Sequence, residues 1–248
     1  MAGGPSDPHA GDGPNAGDDP HAAEELVTAG APLADADAAL VLVHGRGATA
    51  RSIVDFGAAV AGEDVALLAP QAAANTWYPN SFLAPVEQNE PGRRSGLRAV
   101  GRAVNAAADA GIDADAVLVA GFSQGACLAS EFVARHPTRY GGLAVLSGGL
   151  IGESVDVDDY LADAGGSAGV DGAAEEERDD AEGPLAGTPV FLGCSDVDPH
   201  IPEERVHETA DVLAALGGDV DTRIYEGMGH GINEDEVDAV SALVADLG

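Results

Sequence analysis

Apolar residues along the chain fall into two alternating patterns. Short, nearly unbroken runs are separated by longer stretches in which apolar positions recur every three to four residues. ALVLVH (39–44), VALLAP (65–70), AVLVAG (116–121), LAVLS (143–147) and TPVFLGC (188–194) are such runs. Runs of this kind predict strands buried on both faces, as in a parallel sheet. DVDTRIY (219–225) is read as a sixth strand, and one or two more are expected within 23–37.

The intervening periodicity predicts helices over 49–61 and 93–110, the second with Leu97, Val100 and Val104 on one face and Gly111 as its stop. A third runs from the end of the 116–121 strand through Arg135 and halts before Pro137. A fourth covers 203–216 up to Gly217 and Gly218. A last one, 234–247, places Val237, Val240, Val244 and Leu247 on one stripe. Strands alternating with helices imply a three-layer α/β/α sandwich around a mostly parallel sheet.

Two segments break the rhythm. Residues 1–22 are rich in Gly, Pro, Asp and Asn without periodicity, and are expected to be a disordered tail. Residues 152–184 hold 12 acids against one base, Arg178, and are expected to be an acidic insertion. A lid over a site is the functional reading, a solvated excursion the bland one. The remainder, 23–248, reads as one domain, a size common for α/β folds. No apolar run approaches the ~20 residues of a membrane helix. The N-terminus has neither the basic nor the apolar region of a secretory signal, so a cytoplasmic protein is expected.

Charge changes the picture of partners. Acids number 43 and bases 11, a formal net charge of −32, and every base is arginine. Such a field opposes nucleic acid and anionic membranes. Disorder throughout is excluded by 45% hydrophobic content and clear periodicity. An acid-rich, lysine-free chain rich in Ala and Gly is the pattern expected of a protein adapted to a high-salt cytoplasm, where screening lengths fall to a few ångströms. Cys127 and Cys194 lie in apolar segments, read as small core residues, and make no disulfide framework or cysteine zinc site.

Candidate chemistry starts at GFSQG, residues 121–125, a G-x-S-x-G match with a buried strand before it and a helix after it. The turn demands neighbours nearly without side chains. Gly121 and Gly125 supply that, presenting Ser123 alone at the strand's C-terminal end. The amide of Gln124 opens the following helix, where the dipole favours negative charge. A nucleophilic serine needs a base, and the base an orienting carboxylate. Among seven histidines, His230 in EGMGHGI follows the last strand on a glycine-flanked loop. His200 and His207 follow the fifth strand too closely to reach over the turn. Asp196 and Asp198 both follow that strand. Asp198, with Pro199 fixing a turn, is preferred, though spacing alone does not decide. HGRG (44–47) after the first core strand places the Arg46 amide as a second oxyanion donor. It lacks the G-x-G-x-x-G and P-loop patterns of phosphate sites.

Taken together, HGRGA, APQA, NTWYPNSF, GFSQGA, LSGGL, SDVDPHIP and GMGH, collinear from about residue 39 to 247, resemble the phospholipase/carboxylesterase branch of the α/β-hydrolase fold. That branch includes carboxylesterases and acyl-protein thioesterases. The resemblance implies Ser123 as nucleophile, Asp198 as acid through the D-P-x-x-P turn, His230 as base, and the Arg46 and Gln124 amides as oxyanion donors. Arg46 stands where the family pattern has an apolar residue. Trp77 and Tyr78 fall in a loop that by resemblance lines the substrate pocket. They form either an aromatic wall for an acyl or aryl group, or packing of that loop onto the sheet. The expected activity is hydrolysis of carboxylic esters or thioesters through an acyl-enzyme on a small-molecule substrate, in a monomer or homodimer, with neither cofactor nor metal. Lactone hydrolysis and lysophospholipase activity are the enzymatic alternatives. A catalytically silent binding module is the non-enzymatic one.

Overall fold

A computed structural model describes residues 19–166 and 183–247. Seven strands form one sheet: β1 (Leu26–Gly30), β2 (Ala38–Val43), β3 (Val65–Pro70), β4 (Val117–Phe122), β5 (Gly142–Leu146), β6 (Pro189–Ser195) and β7 (Asp219–Tyr225). Their order is β1-β3-β2-β4-β5-β6-β7, with β1 antiparallel to β3 and every other pair parallel. The helices are α1 (Ala50–Val60), α2 (Gly92–Asp109), α3 (Gln124–Arg135), α4 (Val157–Gly166), α5 (Glu203–Ala215) and α6 (Glu234–Ala245). This is the expected three-layer α/β/α architecture around a mostly parallel sheet.

The unbroken apolar runs have a direct cause. Every residue of β2, β3 and β5 is buried, because helices cover both faces of the central sheet. Alternate residues serve opposite layers. Ala39, Val41 and Val43 pack with α2, α3 and α5, whereas Leu40 and Leu42 pack with α1 and α6. Tyr160 of α4 joins the first of these layers. The edges differ from the centre: β1 and β7 are only partly buried, and β7 alternates with the exposed carboxylates of Asp219 and Asp221.

Two expectations change. Residues 19–22, expected within a disordered tail, pack against α2. Asp19 pairs with Arg98 and Arg102, and His21 is buried. Of the acidic insertion, residues 157–166 form α4, anchored by Tyr160, whose hydroxyl donates to the buried Glu131 carboxylate at 2.9 Å. The rest of the expected tail, 1–18, and of the insertion, 167–182, lies outside the described residues. Among the described residues, no helix is long and apolar enough to cross a membrane.

β3 lies on one side of β2 and β4 on the other, so the chain reverses its direction of travel across the sheet beside β2. The carboxyl ends of β2 and β4 therefore flank a crevice that no crossover helix covers, the usual ligand position in an open α/β sheet.

Candidate active site

Ser123 stands at that crevice, between β4 and α3, with φ 57° and ψ −122°. For a non-glycine residue this is strained backbone, held by the surrounding packing. The strain follows from how closely α3 approaches the sheet. A Cβ at Gly125 would lie 2.0 Å from the Val43 carbonyl oxygen, and one at Gly121 would lie 2.4 Å from the Gly125 carbonyl oxygen. Only glycine fits at either place, so the turn is forced tight and the serine side chain is pushed clear of it.

His230 sits on the loop between β7 and α6. Its Nε2 is 2.9 Å from Ser123 Oγ, and its Nδ1 is 2.7 Å from Asp198 Oδ2. These partners fix the tautomer: Nδ1–H donates to the carboxylate, and Nε2 accepts from the hydroxyl. Asp198 Oδ1 accepts the amides of His200 (2.8 Å) and Ile201 (3.1 Å), and the Cys194 thiol approaches Oδ2 at 3.9 Å. Burial pulls the Asp198 carboxyl upward, but the bonds from His230 and the two amides outweigh it and hold the group below its ordinary range.

Asp196 has another partner. Its Oδ1 accepts the Gly227 amide at 2.8 Å, and Ser195 Oγ accepts the Gly229 amide at 3.0 Å. Both glycines have positive φ. Ser195 and Asp196 thus hold the loop that carries His230, while Asp198 holds the imidazole itself.

Across the crevice, the amides of Arg46 and Gln124 donate to no other protein atom among the described residues. Their side chains are occupied elsewhere. The Arg46 guanidinium donates to the carbonyls of Tyr78, Pro79 and Asn80 at 2.7–3.0 Å. Gln124 Oε1 accepts the Trp77 amide, and Nε2 donates to the Tyr78 carbonyl. Arg46, the apparent departure from the family pattern, therefore ties the 78–80 loop to the 44–48 loop.

A cavity of about 530 Å³ opens beside Ser123. Tyr78, Phe82, Phe122, Cys127 and Ile201 supply its apolar wall, and His200 lines it close to His230. The Cys127 thiol is pushed up to about 12 by burial, so it is an inert wall atom. Tyr78 is on the wall. Trp77 is not. It is fully buried, its Nε1 donates to the His44 carbonyl at 2.8 Å, and its ring lies between His21 (5.2 Å) and His44 (5.0 Å). Of the two readings for this aromatic pair, packing holds for Trp77 because its indole N–H finds its partner beneath the loop.

Two cavity residues escaped the sequence reading. The His200 ring meets the His230 ring edge-on at 4.9 Å, and the Phe122 ring lies 5.0 Å from it. His200 follows β6 so closely that the sequence predicts no place for it at the site. The turn at Asp198–Pro199 swings it back over the strand end instead, which the aspartate–proline pair could have signalled. Among the described residues, no group of three or more His, Cys, Asp or Glu side chains is placed to hold a metal ion.

The sequence pattern of the phospholipase/carboxylesterase family matches residues 25–155. A phospholipase/carboxylesterase from Dyadobacter fermentans, known from its crystal structure, is 35% identical. The alignment covers 90% of this chain and 97% of that one, with a TM-score of 0.78. Acyl-protein thioesterase 1 from Gibberella zeae is 29% identical over 136 residues, 55% of this chain and 50% of that protein. The corresponding thioesterase from Kluyveromyces lactis is 28% identical over 148 residues, 59% of this chain and 56% of its own length. The chain thus spans little more than half the length of these thioesterases.

Proposed function

Because the chain belongs to the phospholipase/carboxylesterase family of hydrolases, we propose that it cleaves carboxylic esters, thioesters among them, with Ser123 as nucleophile. Ser123 Oγ attacks the acyl carbon while His230 Nε2 takes its proton. The carbonyl oxygen becomes an oxyanion held by the N–H groups of Arg46 and Gln124, both fixed before substrate arrives. Asp198 keeps the imidazole in the tautomer whose Nε2 accepts, by taking the Nδ1–H bond, and stabilises the imidazolium. Collapse breaks the carbonyl bond to the leaving alcohol or thiol, which departs with the proton from His230. Water, deprotonated by His230, then attacks the acyl-Ser123 ester. The acid is released, and the serine recovers its proton.

The observation that carries this reading is the unbroken hydrogen-bond chain from Ser123 through His230 to Asp198, at 2.9 and 2.7 Å, at a strained strand end beside a cavity. The apolar wall of Tyr78, Phe82 and Phe122 suits an acyl or aryl group. Ser123→Ala is the test. It is expected to abolish ester turnover and fluorophosphonate labelling while thermal stability is kept, because the hydroxyl faces a cavity and its loss opens no hole in the core. Labelling that persists at another serine overturns the assignment.

A further inference from the structure

Asp19 to His21 reach the candidate oxyanion amides through one continuous set of hydrogen bonds. The His21 amide donates to Ser95 Oγ at 2.9 Å, Ser95 donates to Asp19 Oδ1, and Arg102 donates to the His21 carbonyl at 2.9 Å. The His21 ring is buried with both nitrogens engaged. Nδ1 accepts the Ala73 amide at 3.0 Å, which leaves Nε2–H to donate to the Trp77 carbonyl at 2.9 Å. Trp77 then branches. Its amide donates to Gln124 Oε1 at 3.0 Å, and its indole donates to the His44 carbonyl at 2.8 Å. His44 is held in the same manner: Nε2 accepts the Ala72 amide at 3.1 Å, and Nδ1 donates to the Gly45 carbonyl at 2.9 Å. Gln124 carries one oxyanion amide, and Gly45 immediately precedes the other.

We propose that the neutral imidazole of His21 is a positioning residue of the active site, setting both oxyanion amides through Trp77. The proposal rests on the hydrolase reading above, since it takes those amides as the donors. A protonated His21 would turn an N–H toward the Ala73 N–H, two donors face to face, and the junction would open. The charged and titratable groups around the ring are Asp19 and Glu24 on its own segment, Arg102 from α2, and His44 across Trp77. Burial holds both imidazoles below their ordinary range, against the hydrogen bonds they make to the Trp77 and Gly45 carbonyls.

The experiment compares wild type, His21→Leu and His21→Gln in molar chloride, with folding checked by circular dichroism. Leu removes donor and acceptor. It is expected to lower kcat by on the order of 10- to 100-fold with KM within about twofold, because a misplaced oxyanion donor is felt in the transition state. Gln keeps one donor and one acceptor without titrating, and is expected to recover kcat to within about fivefold of wild type. The chain's one tryptophan gives a second reading that needs no activity. An imidazolium against an indole quenches its emission, so wild-type emission is expected to fall only as the pH drops below about 6.5, the ordinary imidazole value that burial lowers here. The fall is expected to be smaller in His21→Gln, with His44 left to supply the remainder. A folded His21→Leu with wild-type kcat overturns the proposal. So does an acid step in emission that is identical in wild type and His21→Gln, and this pair decides the matter if His21→Leu does not fold. A wild type that turns over no ester sinks the underlying hydrolase reading instead, a failure recognisable because it does not depend on residue 21.

Discussion

Asp196 and Asp198 stand two residues apart after the same strand and act on different partners, so substitution separates them. Asp198→Asn is expected to lower kcat by on the order of 10³–10⁴-fold, because the amide favours the wrong imidazole tautomer. Asp196→Asn keeps an acceptor for the Gly227 amide and is expected to leave kcat within about tenfold of wild type, since a neutral acceptor still holds the loop. Steady-state kinetics on one chromogenic ester gives the ranking. Glu236 makes a different prediction. It is fully buried at the start of α6, and its Oε2 accepts the Asn233 amide at 2.8 Å. Its Oε1 has no hydrogen-bond partner among the described residues, and burial pushes the carboxyl up from 4.5 to about 7. The folded state therefore keeps a proton that the unfolded state releases. The stability this group contributes is complete below about pH 4.5 and lost as pH rises through about 7. Glu236→Gln is expected to raise the melting temperature relative to wild type at about pH 8, by relief of a few kcal/mol at most, with a smaller gain at about pH 5. At this scale Ser123 and His230 were legible because local sterics and glycine flanks announce them. Trp77, His200 and His21 were not, because where each ring points is set by a partner far along the chain.

Elements were legible where burial is two-sided, as in 65–70, or where polar and apolar residues alternate along an edge strand, as in 219–225. Strands 65–70 and 219–225 have the boundaries their residues predict, and the helices differ by one or two positions at their ends. β1 was expected only vaguely within 23–37, since LVTAG is short and half-buried at the sheet edge. α4 was hidden because VDDYLADAGG reads as an acidic, solvated stretch. Its anchor is a bond between helices. Tyr160 donates to Glu131 Oε2, which also accepts the Ile151 amide at 3.1 Å, while Oε1 faces Arg93 and Arg135. Glu131 thereby joins α2, α3, α4 and the chain after β5 at one buried carboxylate. Tyr160→Phe leaves Oε2 with one donor fewer and is expected to cost about 1–3 kcal/mol in denaturant unfolding, with esterase kinetics unchanged. Wild-type stability in that variant would show that α4 is held by its apolar contacts alone.

For the whole molecule the charge dominates. A formal net charge of −32 on 248 residues repels itself over roughly the Debye length, ~10 Å at 0.1 M salt and ~3 Å at 1 M. Molar chloride is therefore expected to raise the melting temperature and ester turnover steeply above their values at about 0.1 M, by removing a repulsion that opposes compaction. A melting temperature flat across a chloride series would refute this. The same screening has a second effect, and it falls on β7. Salt that relieves repulsion within one molecule also removes the repulsion that keeps two molecules apart. Among the described residues β7 is a parallel strand with one strand neighbour, so its outer backbone groups face no further strand. What guards it at high salt is local: Asp219 and Asp221 along the strand, with Arg223 bridging Asp221 to Asp235 on α6. A chain docking there would have to strip water from those carboxylates, a cost that added chloride does not cancel. Colloidal stability in brine thus depends on a handful of charges at one sheet edge, and the large total charge that is so conspicuous in the sequence contributes little to it.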